Sequence, residues 1–258
     1  MDGVNKTLYI PLCGKSFVSK RGIILHDPKA EEIWGKEGFP LKGKAASRWL
    51  GFYMGMRAAV FDRWVKARMD AMPDAAVLHL GCGMDGRCLR VGNKGSIWYD
   101  VDFPDVIEER EKYYAATANY CMVGADVRRM DFSEISGSQA IVVMEGISMY
   151  LTHQELAQLL TRLTDRFERV VLLMDCYTQF AAKASRYKNP INEVGVTQVY
   201  GLDDPKLLES GGLSYAGGHD MTPADLIDQL QGMERAVFKK LYAGSLAKKM
   251  YRMYEFRK

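Results

Sequence analysis

Long apolar runs are missing from the chain. The purest aliphatic stretches, Ala140 to Met144 and Val170 to Met174, fall far short of the ~20 residues a bilayer span needs, so no membrane segment is expected. The opening Met1-Asp2-Gly3-Val4-Asn5-Lys6 lacks a basic region followed by an apolar one, which removes the signature of secretion and leaves a cytoplasmic location as the expectation. Cysteine pairs are missing too. The five cysteines (Cys13, Cys82, Cys88, Cys121, Cys176) are scattered, with no C-x-x-C and no histidine at a ligand spacing, so neither a metal site nor a disulfide framework is expected. A large excess of charge of one sign is missing as well: a formal net charge of +3 is too mild to imply a nucleic-acid partner. Repeats and Pro/Gly/Ser linkers are lacking. With 258 residues, 48% hydrophobic and 26% charged, the remaining reading is one globular domain.

What is present is an alternation. Lys44 to Met69 reads as one long helix, preceded by turn signals at Leu12-Cys13-Gly14-Lys15, Asp27-Pro28 and Phe39-Pro40. From Ala76 onward short apolar runs alternate with helical patterns. Strands are expected at Ala76 to Leu80, Ser96 to Asp102, Tyr120 to Ala125, Ala140 to Met144 and Val170 to Met174, with helices over Pro104 to Ala118 and Thr152 to Phe167. Late strands at Leu213 to Asp220 and Met250 to Phe256 flank a helix opened by Thr222 at its N-cap and Pro223. The expected fold is α/β: a Rossmann-like, doubly wound, mostly parallel seven-stranded sheet with an antiparallel, hairpin-like edge. Residues 1–72 would form a helical N-terminal cap, 73–176 a cofactor-binding core, 177–200 a lid or substrate loop, and 201–258 the closure of the sheet.

Ligands of open α/β sheets bind beyond the carboxyl ends of the strands. Those ends are acidic here. The first strand runs into Gly81-Cys82-Gly83-Met84-Asp85, and the later ones into Asp100-Val101-Asp102, Asp126, Glu145 and Asp175, which together suggest a negative rim. Gly81-x-Gly83-x-x-Gly86 also fits a dinucleotide fingerprint, with Asp100 or Asp102 near the spacing of a ribose-binding acid. Asp85 would repel a pyrophosphate at the following helix N-terminus. S-adenosylmethionine suits such a rim better. Its ribose hydroxyls can donate to Asp102 and its adenine amino group to Asp126, its ammonium and sulfonium gain from nearby carboxylates, and Gly81 and Gly83 admit close approach. Asp100 alternates with Asp102 on its strand, so it reads as a surface or capping group, and His79 as a satisfied core histidine.

These residues resemble the leucine carboxyl methyltransferase family, in particular its bacterial branch that includes polyketide O-methyltransferases. The resemblance is carried by Gly14-Lys15-Ser16-Phe17 with Asp27-Pro28, by Gly55-Met56-Arg57, and by Leu80-Gly81-Cys82-Gly83-Met84-Asp85. It continues through Asp100-Val101-Asp102-Phe103-Pro104, Gly124-Ala125-Asp126-Val127-Arg128 and Glu145-Gly146-Ile147-Ser148-Met149-Tyr150-Leu151. It implies a class I methyltransferase fold and an S-adenosylmethionine site lined by Lys15, Arg57, Gly81, Asp102, Asp126, Val127 and Glu145, with Arg57 and Lys15 near the methionine carboxylate. The family usually has a Thr before the arginine of the glycine turn; here the run is Asp85-Gly86-Arg87. Relatives acting on transfer RNA carry a large second domain, for which this chain has no room.

The resulting expectation is an O-methyltransferase acting on a carboxylate or hydroxyl of a small molecule, with a protein C-terminal leucine as the alternative inside the family. An ionised carboxylate needs no base but does need a clamp. Arg57, Lys15, Tyr150, Tyr177, Arg186 and Tyr187 have the right chemistry, Arg57 and Tyr150 being the acceptor-positioning candidates. A phenol acceptor would instead point to His153 or His219 as base. Two other classes fit the residues less well. An NAD-dependent oxidoreductase has the glycine spacing but is opposed by Asp85, by the acidic rim and by the want of an evident hydride-transfer pair. A non-catalytic cofactor-binding module would keep the site without turnover.

Overall fold

The computed structural model describes residues 8–37, 41, 43, 45–185, 198–209, 212–244, 247 and 249–258. Three helices come first: α1 (Tyr9–Lys20), α2 (Pro28–Glu37) and α3 (Arg48–Ala71). The alternating part follows as β1 (Ala76–Leu80), α4 (Arg87–Val91), β2 (Trp98–Asp102), α5 (Pro104–Arg110), β3 (Tyr120–Gly124), β4 (Gln139–Met144), α6 (His153–Arg166) and β5 (Arg169–Tyr177). The chain closes with α7 (Gln179–Ser185), β6 (Ser214–Gly218), α8 (Ala224–Ile227), α9 (Gly232–Leu241) and β7 (Tyr251–Arg257). The seven strands form one sheet in the order β3-β2-β1-β4-β5-β7-β6. β1 to β5 are parallel, and β7 runs antiparallel between β5 and β6.

Each face of the sheet collects its own core. Val77, Ile141, Val143, Val171 and Leu173 point to the side covered by α1, α3, α8 and α9. Ala76, Leu78, Leu80, Val142 and Leu172 point to the other, where α6 lays down Leu156, Leu159, Leu160 and Leu163 at helical spacing. With both faces covered, β1 is buried along its whole length, which is why it reads as an apolar run interrupted only by His79 rather than as an alternating one. α6 starts where Thr152 accepts from the Glu155 amide and Glu155 reaches back to Thr152, a reciprocal capping box. Among the described residues no helix is long and apolar enough to cross a membrane.

Several expectations are corrected. Leu12 to Lys15 is not a turn but the middle of α1. Gly14 is there because α1 crosses α3 too closely for a side chain: a Cβ on Gly14 would lie 2.8 Å from that of Met54, and one on Gly55 would lie 2.7 Å from Val18 Cγ2. α3 begins at Arg48, with Ser47 as its N-cap, and Lys44 and Phe39-Pro40 lie outside the described residues. α5 stops at Arg110, well before Ala118, and β5 runs on to Tyr177. Pro223, not Thr222, holds the N-cap position of α8. The antiparallel edge is no tight hairpin either, since α8 and α9 intervene between β6 and β7. The lid stretch is helical over α7, and 186–197, which includes Arg186 and Tyr187, lies outside the described residues.

Candidate active site at the carboxyl ends of the strands

The strand order reverses between β1 and β4, and a cavity of about 840 Å³ opens beyond the carboxyl ends there. Lys15, Arg57, Gly81, Gly83, Asp102, Asp126, Val127, Glu145 and Tyr150 all line it. Tyr177 lines it too, whereas His153 and His219 do not, and Arg186 and Tyr187 lie outside the described residues. One end is charged. The other is built from Tyr53, Met54, Met149, Tyr150, Tyr177, Met250 and Tyr251.

The charged end starts from the turn after β1. Gly81 has φ of +70°, and a Cβ on it would fall 2.0 Å from Ile147 Cγ2, so backbone conformation and packing both require glycine. Asp85, further along the turn, is buried and receives Lys15 at 3.0 Å and Arg90 at 2.6 Å. Arg87 lies 3.1 Å from its second oxygen, an ionic contact without hydrogen-bond geometry. Arg87 also pairs with Asp62 at 2.8 Å and with Glu145, while Arg90 takes Asp62 at 2.7 Å and Asp27. Arg57 bridges Glu145 at 3.1 Å and Asp175 at 2.9 Å. For two of these carboxylates the partners outweigh the cost of burial, whereas for Asp175 burial prevails and raises its pKa. The carboxyls of Asp85 and Glu145 are held below the ordinary range, the first chiefly by Arg90 and Lys15 and the second by Arg87 and Arg57.

This network revises the expected negative rim. Asp85 is compensated threefold and is not a free charge facing a ligand, so repulsion of a pyrophosphate is not its effect. Asp126 accepts a bidentate contact from Arg128, which lowers its pKa. Asp100 is not on the surface: it is fully buried, salt-bridged to Arg110, and accepts from Trp98 Nε1 at 2.8 Å and the Tyr120 hydroxyl at 2.7 Å. Its carboxyl drops to about 2, because Arg110 and then His79 overcome the cost of burial. Asp102 differs from the rest. Among the described residues it meets no cation; its oxygens accept only the backbone N–H of Gly83 at 2.7 Å and of Phe103 at 2.8 Å, and burial raises its pKa. A carboxylate with spare lone pairs on a cavity wall fits donors such as a pair of ribose hydroxyls.

Arg57 keeps capacity despite its two partners. Of the five N–H donors of a guanidinium, these contacts engage Nε and one each on the terminal nitrogens, leaving two for a ligand carboxylate. The histidines are spoken for. His79 lines the cavity but sits between Asp100 at 3.2 Å and Arg87 at 3.0 Å, as a neutral ring donating from Nδ1 and accepting at Nε2 would. His153 meets the Gly201 carbonyl at 2.9 Å and His219 meets Glu255 at 2.7 Å; neither lines the cavity. Burial lifts the Cys82 thiol well above its ordinary pKa, so it is no nucleophile.

Sequence reasoning passed over Asp62, Arg87, Arg90, Arg110 and Tyr114 at the charged end and Tyr53 and Tyr251 at the other. Arg87 and Arg90 did leave a signal, two arginines one helical turn apart directly after a glycine turn that carries an acid.

A doubly wound sheet of this order, with a glycine turn after β1 and an unpaired acid at the end of β2, is the class I S-adenosylmethionine-dependent methyltransferase arrangement. The solved magnesium protoporphyrin IX methyltransferase (ChlM) of Synechocystis PCC 6803, with S-adenosylhomocysteine bound, shares it at a TM-score of 0.51 over 90% of this chain and 93% of that one, with 12% identity. The profile of the Leucine carboxyl methyltransferase family matches residues 11–164, and the chain belongs to that family. It is 28% identical over 214 residues to the tetracenomycin polyketide synthesis O-methyltransferase TcmP of Streptomyces glaucescens, covering 81% of this chain and 79% of that protein. It is also 28% identical over 178 residues to the S-adenosyl-L-methionine-dependent methyltransferase dpfgK of Gibberella zeae, covering 62% and 60%. The chain is therefore an S-adenosylmethionine-dependent methyltransferase.

Proposed function

We propose that this protein methylates an oxygen, first of all a carboxylate, on a small and largely apolar molecule in the cytoplasm. The observation that carries this reading is that, among the described residues, no histidine at the cavity wall has a free nitrogen, and an acceptor ionised at neutral pH needs no base. The name of TcmP, an O-methyltransferase of polyketide synthesis, supports oxygen as the target and a small molecule as its bearer. The tyrosine and methionine wall suits an apolar body.

In this reading S-adenosylmethionine, when bound, supplies an electrophilic methyl carbon on a sulfonium. Asp102 accepts from its ribose, Asp126 and Val127 border its adenine, the Gly81 to Gly86 turn admits its backbone-close edge, and Lys15 and Arg57 hold its methionine carboxylate. Glu145 keeps the Arg57 guanidinium in place. Tyr150 and the spare N–H of Arg57 orient the acceptor oxygen, and the tyrosine wall excludes water, so that positioning rather than proton transfer limits the reaction.

The test is a panel of matched aromatic and aliphatic carboxylic acids and phenols incubated with methyl-labelled cofactor. Label released as volatile methanol by mild base marks an ester and supports the proposal. Base-stable label on phenols alone replaces it with ether formation and returns attention to a base.

A further inference from the structure

The turn after β1 is held on its far side by two residues outside the glycine motif. Arg110 donates from one terminal nitrogen to the Gly83 carbonyl at 2.8 Å and from the other to the Asp85 carbonyl at 2.7 Å, and the Tyr114 hydroxyl donates to the Met84 carbonyl between them at 3.0 Å. Three consecutive carbonyls are thereby fixed by one side-chain pair. The Tyr114 ring lies 3.9 Å from the guanidinium, closing the pair on itself. On the opposite side of the same turn, Asp102 accepts the Gly83 N–H.

Burying Arg110 completely is costly, and the fold supplies a dedicated counter-charge for it. Asp100 takes the salt bridge and is itself anchored by His79, Trp98 and Tyr120, all buried; Tyr120 also accepts from Arg110 Nε at 3.1 Å. Asp100, Asp102, Arg110 and Tyr114 lie within one short segment that runs from the end of β2 through α5 and past the turn that follows it. That segment grips the turn after β1 from both sides: by its carbonyls through Arg110 and Tyr114, and by an amide through Asp102.

We propose that Arg110 and Tyr114 are positioning residues that set cofactor affinity by fixing the peptide planes of Gly83, Met84 and Asp85. The proposal rests on the reading that S-adenosylmethionine binds against this turn. With the three carbonyls held by Arg110 and Tyr114, the Asp85 N–H donating to the Cys82 carbonyl and the Gly83 N–H donating to Asp102, the turn and the Asp102 carboxylate keep one arrangement, so a ligand meets a turn that is already ordered. A purely structural latch would act on unfolding alone.

The molecule provides its own control. Arg166 also holds three loop carbonyls, of Phe132, Ile135 and Gly137, but on the loop before β4 and away from the cavity. Three variants, Tyr114→Phe, Arg110→Lys and Arg166→Lys, would be titrated calorimetrically with S-adenosylhomocysteine at a temperature where each is fully folded. Thermal unfolding and amide exchange across 82–86 would be followed alongside. Tyr114→Phe removes one atom and leaves the ring over Arg110, so its affinity is expected to fall about three- to tenfold, with faster exchange at the turn. Arg110→Lys keeps the charge but not the fork, and is expected to lose about tenfold or more. Arg166→Lys is expected to melt earlier and bind as the wild type does. Binding by Tyr114→Phe within about twofold of wild type, whatever its melting temperature, overturns the proposal. A wild-type protein that fails to bind S-adenosylhomocysteine overturns the reading beneath it, and is thereby told apart from failure of the proposal itself.

Discussion

The two ends of the cavity are built from different materials. At the charged end, Lys15, Arg57, Arg87 and Arg90 interlock with Asp27, Asp62, Asp85, Glu145 and Asp175, and each arginine there serves at least two carboxylates. At the other end, Tyr177 meets Tyr251 edge-on with ring centroids 4.6 Å apart, and Tyr53 lies 5.8 Å from Tyr251. Burial lifts the Tyr53 and Tyr251 hydroxyls above their usual pKa, so this end stays neutral. A buried ion network tolerates no single loss, because each member removed strands its partners. An aromatic and methionine wall can be recut one side chain at a time.

The largest effect should come from breaking the network at its hub. Arg87→Met takes one buried cation from each of Glu145, Asp62 and Asp85, and should destabilise the protein by about 3–5 kcal/mol in denaturant unfolding. A loss below about 1 kcal/mol would mean that the network is not cooperative and the contrast is one of composition only.

Acid should dissolve the same end first. Asp100 is lowered to about 2, and Asp85 and Glu145 are also held down, so between the unfolded-state values near ~4 and the folded ones the unfolded chain binds more protons than the native one. The stability these groups contribute is complete above that window and is lost as pH falls through it. Burial raises Asp102 and Asp175 instead, and they act in the opposite sense over their own range, but the lowered groups are the more numerous. Thermal unfolding followed from neutral pH downward should therefore show its midpoint falling steeply below about pH 4.5. A flat profile down to about pH 3 would contradict the compensation described here.

Asp102 sharpens the comparison, because it sits in the charged end without belonging to the network. Its raised pKa means that the fold bears a cost for its charge, so Asp102→Asn should leave the melting temperature unchanged or higher. The same change should weaken S-adenosylhomocysteine binding by about 1–3 kcal/mol through lost charge-assisted hydrogen bonds. Lower stability with intact binding would reverse its role.

How much of this was legible depends on whether the cause lies along the chain or across it. β1, β4 and β5 read directly as apolar runs because both faces of the sheet are covered, and Gly81, Gly83 and Asp102 read as site residues because strand ends are where ligands bind. Compensation could not be read. Arg57 finds Glu145 88 positions away, and Arg87 finds it 58 positions away, so the acids looked like a free rim until folding paired them. Gly14 misled for the same reason, as its demand comes from Met54 on a crossing helix rather than from a local turn. Asp100 was misplaced because strand alternation says which face a residue takes but not that an arginine waits there.

The smallest effect, and the cleanest check on the division between the two ends, belongs to Tyr53→Phe. The Tyr53 hydroxyl has only a long contact to Met221 Sδ at 3.7 Å, while its ring packs near Tyr251, so removing the oxygen should change stability by no more than about 0.5 kcal/mol. Arg57 nevertheless acts electrostatically on Tyr53, as it does on Tyr251, so these tyrosines are where the neutral wall meets the ion network. If the ends are independent, S-adenosylhomocysteine should bind the variant as tightly as the wild type, and only the range of acceptors methylated should shift. A tenfold loss of cofactor affinity on deleting this one hydroxyl would place Tyr53 in the cofactor site. The cavity would then be one continuous surface, and acceptor preference could not be changed there without disturbing cofactor binding.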